Sequence, residues 1–193
     1  MSPAMSPTVP VRLGLSAAFL LLQGSAGMAA PPLASAYTRH DFSTCRALPS
    51  PHPDVVEVRR CAGLGGIPVV WTNEPDASAV AFGRTEESGP IPGLDTFFAV
   101  RGTIEWRGPA TGAGLRPRAA IVRYDTGPSI RLGASRLVVY RLVPGGACVM
   151  GVLDGAAPTA NAAARALVDR AAAGFVCGRS KARIAPPASR TGT

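Results

Sequence analysis

Arg118 to Asp125 reads RAAIVRYD, Arg136 to Val143 reads RLVVYRLV, and Ala147 to Leu153 reads ACVMGVL. Each run is short and rich in β-branched or aromatic residues and ends at turn-forming residues, which is how strands of a compact sheet read. Just upstream, Thr103 to Arg107 alternates, with Ile104 and Trp106 on one side and Glu105 and Arg107 on the other. Arg123 and Arg141 stand among apolar neighbours in the same way. If these strands are adjacent, Glu105, Arg123 and Arg141 share the solvent face and form a cross-strand charge ladder. Such pairs are ordinarily scaffold, worth roughly 0–1 kcal/mol when exposed. Ligand binding by the ladder is the alternative.

Working outward, Asp54 to Cys61 (DVVEVRRC), Ile67 to Thr72 (IPVVWT) and Ser78 to Phe82 form a meander separated by a glycine turn at Gly63, Gly65 and Gly66. Phe97 to Val100 is a further short apolar stretch. Ser88 to Gly93 (SGPIPG) and Gly108 to Gly114 read as loop and turn. Thr159 to Ala173 (TANAAARALVDRAAA) is the one convincing helix, with Thr159 or Asn161 as N-cap and Gly174 as a left-handed terminator. Its apolar stripe is Ala163, Ala164, Leu167, Val168 and Ala171, and so narrow a helix must dock on the sheet to persist. The fold class is therefore α+β: a mainly antiparallel sheet of about seven strands with one C-terminal helix packed on it.

The four cysteines, Cys45, Cys61, Cys148 and Cys177, allow three connectivities. The local pairs Cys45 with Cys61 and Cys148 with Cys177 are favoured by their order and by the elements around them. A zinc site lacks the paired spacing zinc requires, and no cofactor is implied. At the N-terminus Arg12 precedes the apolar run Leu13 to Leu22, followed by small residues, the order of a secretory leader. Ten apolar residues are too few for a membrane-spanning helix, which takes ~20, so no transmembrane anchor is expected. Cleavage follows Ala29 or Ala36. The organisation is a leader and linker over 1–36, an exported domain over 37–178, and a disordered basic tail over 179–193.

The net charge of +8 is unevenly spread: Arg12 is the only charge in 1–36, residues 37–178 hold 15 basic and 12 acidic side chains, and the tail holds four basic ones. The domain is thus nearly balanced, which argues against specific nucleic-acid binding, although the tail can contact an anionic polymer weakly. Arginine outnumbers lysine 19 to 1, the mark of a GC-rich bacterial genome. Export from such a cell means the periplasm or the medium.

Chemistry-bearing residues are few. The two histidines, His40 and His52, confine imidazole chemistry to one corner. His40, Asp41 and Ser43 make a Ser, His and Asp set on paper, but triads are defined by geometry and draw on separated segments. His40, Asp41 and His52 lack metal-ligand spacing. Glu86 and Glu87 read as a solvated loop. Trp71 and Trp106 are core residues by default or a binding platform as the alternative.

The segments Cys61-x-Gly63-x-x-Gly66-x-Pro68-Val69, Gly102-x-Ile104-Glu105-Trp106-Arg107, Ala120-Ile121-x-Arg123-Tyr124 and Asn161-Ala162-x-Ala164-Arg165-x-Leu167 resemble a group of small exported proteobacterial proteins without an assigned activity. The resemblance implies a periplasmic address and no catalytic residue. A non-enzymatic exported domain that binds a protein or cell-envelope component, in an inhibitor-like role through an exposed loop, is the leading expectation. The alternative is a small periplasmic hydrolase using His40 and Asp41.

Overall fold

The computed structural model describes residues 32–50, 52–83 and 90–186. The apolar run Leu13–Leu22, Ala29, Glu86, Glu87, the start of the Ser88–Gly93 loop and residues 187–193 lie outside the described residues.

Among the described residues two sheets and one α-helix make three layers. The larger sheet joins β1 (Leu33–Arg39), β6 (Phe97–Thr111), β8 (Ala119–Gly127), β9 (Ala134–Val143), β10 (Gly146–Asp154) and β11 (Arg183–Ile184) in that order, with β7 (Gly114–Leu115) paired to β6. The smaller sheet runs β2 (Arg46–Leu48), β3 (Glu57–Ala62), β4 (Pro68–Asn73), β5 (Ser78–Phe82). All named pairs are antiparallel except β10 with β11. The expected single sheet of about seven strands is thus a seven-stranded sheet plus a separate four-stranded one. The meander Asp54–Phe82 is the body of the second sheet. It buries Val69, Trp71, Val80 and Phe82 against Ile104, Trp106, Val122, Tyr124, Val138 and Tyr140 of the first. Periodicity identifies strands but does not say which sheet a hairpin joins.

The opposite face of the large sheet carries Ala119, Ile121, Leu137, Val139 and Met150, and α1 (Ala160–Ala171) lies on it with Ala160, Ala164, Leu167 and Val168 buried. Close approach is set by Gly151 of β10, where a Cβ would come within 2.5 Å of Leu167 Cδ2. Both favoured disulfides are present, Cys45–Cys61 and Cys148–Cys177. The second links β10 to the segment following α1, so helix and sheet are joined covalently as well as by packing.

Several local expectations are corrected. Gly108–Thr111 continues β6, and only Gly112 and Ala113 turn the chain into β7. The Thr159 side chain makes no capping hydrogen bond. Gly174 is not left-handed; Gly178, just past Cys177, is. The structured chain also extends past both expected limits. Strand β1 begins at Leu33, inside 1–36, because β6 is long enough to offer it seven partners. Within 179–193, Arg183–Ile184 pairs along the free edge of β10, Ala185 N–H donates to Val152 O, and Arg136 Nη1 donates to Pro186 O. Backbone groups at a sheet edge recruit a partner strand irrespective of its composition.

Candidate functional site

Strand β6 is interrupted at Val100–Ile104, where its register against β8 slips and Arg101, Gly102 and Thr103 lie opposite the single residue Arg123. A bulge re-aims side chains, and here Arg101 and Thr103 both line a hollow beside Arg123. Past the bulge, Glu105 pairs with Ile121 and Arg107 with Ala119, so Glu105, Arg107, Ile121 and Arg123 share the helix-facing side of the sheet. Glu105 and Arg123 therefore do lie on one face, as the alternation predicts. That face, however, is the one α1 covers, and Glu105 is only 6% exposed.

Helix α1 meets this row with a polar stripe of its own. Asn161, Arg165 and Asp169 recur every four residues and so project from one side of the helix. Each stripe residue takes a sheet partner: Arg123 Nη2 donates to Asn161 Oδ1 at 3.1 Å, Arg165 Nε donates to Glu105 Oε1 at 2.6 Å, and Arg107 Nε donates to Asp169 Oδ1 at 2.6 Å. Strand β1 completes the edge. Ser35 Oγ donates to Glu105 Oε1 at 2.6 Å and accepts from Arg107 Nη1 at 2.9 Å, while the Tyr37 hydroxyl accepts from Arg165 Nη2 at 2.7 Å.

Between these elements lies a hollow of about 260 Å³ with an apolar floor of Ile121 and Leu137 and a rim of Tyr37, Arg101, Thr103, Glu105, Arg123, Asn161 and Arg165. Arg123 is anchored by Nη1, which donates to Ser135 Oγ at 3.0 Å and Gly155 O at 2.5 Å. Gly155 permits this, since a Cβ there would fall 2.8 Å from Nη1. The surrounding charges are not equivalent. Bonding to Asp125 raises the Arg101 pKa, bonding to Asp169 raises that of Arg107, and bonding to Glu105 raises that of Arg165. The Arg123 pKa is instead lowered, first by burial and then by the neighbouring Arg101 charge. Arginine nonetheless stays charged, so Arg123 is a cation whose charge is left least compensated.

The other expected residues go elsewhere. Arg141 shares the face of Glu105 and Arg123, opposite Ala119, but lies outside the hollow and spends Nη1 on Arg118 O and Leu142 O. Both tryptophans are core side chains, at 8% exposure for Trp71 and 0% for Trp106, and neither presents a platform. Trp106 Nε1 donates to Thr38 Oγ1, which is also 2.8 Å from His40 Nε2. Burial lowers the His40 pKa. The Asp41 carboxylate is turned to Ser43, accepting from its N–H and hydroxyl at 2.9 and 2.7 Å, and these bonds lower the Asp41 pKa. His40, Asp41 and Ser43 are thus not joined in a relay. Among the described residues no group of three His, Cys, Asp or Glu side chains is placed to hold a metal ion. A larger hollow of about 400 Å³ between the Ile67–Pro68 and Pro144–Gly146 turns is lined by glycine, proline and aliphatic residues only.

Sequence inspection singles out Glu105 and Arg123 but misses Tyr37, Arg101, Thr103 and Arg165, and takes Asn161 for a cap. Two signals carry the missing part: the four-residue spacing of Asn161, Arg165 and Asp169, and the break between the runs Phe97–Val100 and Thr103–Arg107, which is the bulge. Comparison with protein-family models, with curated proteins and with solved structures finds no match.

Proposed function

We propose that this chain is an exported, non-enzymatic binding domain, in the periplasm or the medium, whose recognition site is the hollow beside α1. The observation that carries this is the state of Arg123: a guanidinium held by Ser135, Gly155 and Asn161 at the wall of a cavity, with no carboxylate bonded to it among the described residues. An arginine stays charged at ordinary pH, so Arg123 is suited to hold an anion and not to act as a general acid or base. Export is supported by the leader-like N-terminus and by two disulfides, which persist in oxidising compartments. Strand β1 supports cleavage after Ala29, because a cut after Ala36 would remove Leu33–Ala36 from the sheet together with the Ser35 bonds to Glu105 and Arg107.

The test is capture of cell-envelope components on three proteins: the natural chain, His40→Ala, and Thr103→Trp, which fills the hollow from an exposed strand position. The expected result is one component retained by the first two and lost by the third. Retention unaffected by Thr103→Trp would remove the hollow from the recognition site. A turnover abolished by His40→Ala would replace binding with hydrolysis.

A further inference from the structure

Four arginines surround the hollow and its edge, and three of them use the same two atoms in the same way. Arg101 donates from Nε and Nη2 to the two oxygens of Asp125 at 2.9 and 2.8 Å. Arg107 does so to Asp169 at 2.6 Å each, and Arg165 to Glu105 at 2.6 and 3.3 Å. The fourth, Arg123, faces the cavity with Nε lacking an acceptor among the described residues and Nη2 holding only the neutral Asn161 amide. Of these four guanidiniums three hold a carboxylate, and Arg123 holds none among the described residues.

Resting on the assignment of the hollow as the recognition site, we infer that its ligand presents a single carboxylate to Arg123, completing the fourth bidentate pair, with a small apolar group on the floor of Ile121 and Leu137. The chemistry is that of a peptide's terminal carboxylate next to a small aliphatic residue, whether the peptide ends a protein or belongs to the cell envelope. Charge and shape both favour it. Arg123 is the one guanidinium of the four without a carboxylate among the described residues, and a planar two-oxygen acceptor matches the guanidinium edge better than a point charge does. Size agrees too: about 260 Å³ is below the roughly 300–1,000 Å³ of pockets that enclose drug-sized ligands, so the hollow takes a chain end. Polar donors remain for the second oxygen. The Tyr37 hydroxyl accepts from Arg165 and keeps its own hydrogen, and the Asn161 amide nitrogen is not engaged by a described residue.

The experiment is an NMR titration of the disulfide-bonded chain with N-acetyl-alanyl-alanine, with the same peptide as its C-terminal amide, and with inorganic phosphate, reading amides of residues 121–123 and 161–165. The acid should bind saturably. The amide should bind about tenfold or more weakly, the loss of a charge-assisted hydrogen bond. Arg123→Gln should reproduce that loss. Because Arg123 also supports the fold, Thr103→Glu is the second variant: it leaves every arginine contact in place and supplies a competing carboxylate, so acid binding should vanish while the spectrum stays native. Longer peptides ending in the same dipeptide, from protein and from envelope, distinguish the source. Equal binding of acid and amide, phosphate binding as tight as the acid, no binding of the acid, or acid binding unchanged in Thr103→Glu would each overturn the carboxylate. If the carboxylate falls while Thr103→Trp still abolishes envelope capture, only the ligand class was wrong; if both fail, the hollow is not the recognition site.

Discussion

Glu105 and Asp125 pose one comparison sharply, because each is a carboxylate gripped by an arginine through the same two nitrogens and they differ chiefly in burial. The Glu105 side chain is 7% exposed and its partner Arg165 37%; Asp125 is 29% exposed and Arg101 57%. Glu105 also accepts from Ser35. Truncating Glu105 to Ala therefore strands a hydroxyl and a cation in a site that water reaches poorly. Breaking a fully buried pair costs roughly 3–5 kcal/mol, but Arg165 is exposed enough to recover part of its hydration, which lowers the expected loss to about 2–3 kcal/mol. Asp125→Ala removes an exposed pair and should cost about 0–1 kcal/mol. Urea unfolding followed by tryptophan fluorescence measures both, since Trp71 and Trp106 are buried reporters. In an Arg165→Ala background, Glu105→Ala should cost markedly less than in the natural chain, isolating the pair. Equal losses for the two carboxylates, or a Glu105→Ala loss below about 1 kcal/mol, would refute the claim that the helix and β6 are locked through this ion pair.

Three further outcomes follow from other parts of the fold. The Tyr124 and Tyr140 hydroxyls are 2.9 Å apart in the core, and burial raises the Tyr124 pKa to about 12 and that of Tyr140 well above its ordinary value. Unfolded tyrosine ionises near pH ~10, so the stabilisation from this pair is complete below that pH and is lost as pH rises toward about 12; a thermal-melt series flat across that window would contradict it. Cys148 and Cys177 are 29 residues apart, a loop whose closure entropy corresponds to about 3.5 kcal/mol. The double serine variant should lose about that much in urea and lose hydrogen-exchange protection in α1, and full protection would show that packing alone holds the helix. Finally, the proposed export with cleavage after Ala29 predicts a mature chain whose intact mass corresponds to a first residue of Ala30; a start at Tyr37 would overturn that cleavage site and leave the sheet without most of β1.

What could be read in advance was set by short-range order. Strands β3–β5 and β8–β10 and helix α1 announce themselves because alternation and alanine content are local properties, and the disulfides follow because each joins neighbouring elements. Side-chain alternation also places Glu105 and Arg123 on one face. It does not reveal what covers that face, so a row resembling a solvated ladder is half of a helix–sheet seam. Strand β1 is concealed because Leu33–Arg39 follows two prolines and small leader-like residues, and pairs only because distant β6 offers an edge. Arg183–Ile184 is concealed for the same reason. The hollow depends on a slipped register and on a helix arriving from far along the chain, neither of which has a local signature.

The contact between Tyr37 and Arg165 spans 128 residues, nearly the whole structured length. Contacts so distant in sequence carry a large loop-closure cost. The hollow is therefore complete only with nearly the whole chain: without the residues from β9 to α1, Arg123 lacks Leu137 of the floor, its anchors Ser135 and Gly155, and the opposite wall of Asn161 and Arg165.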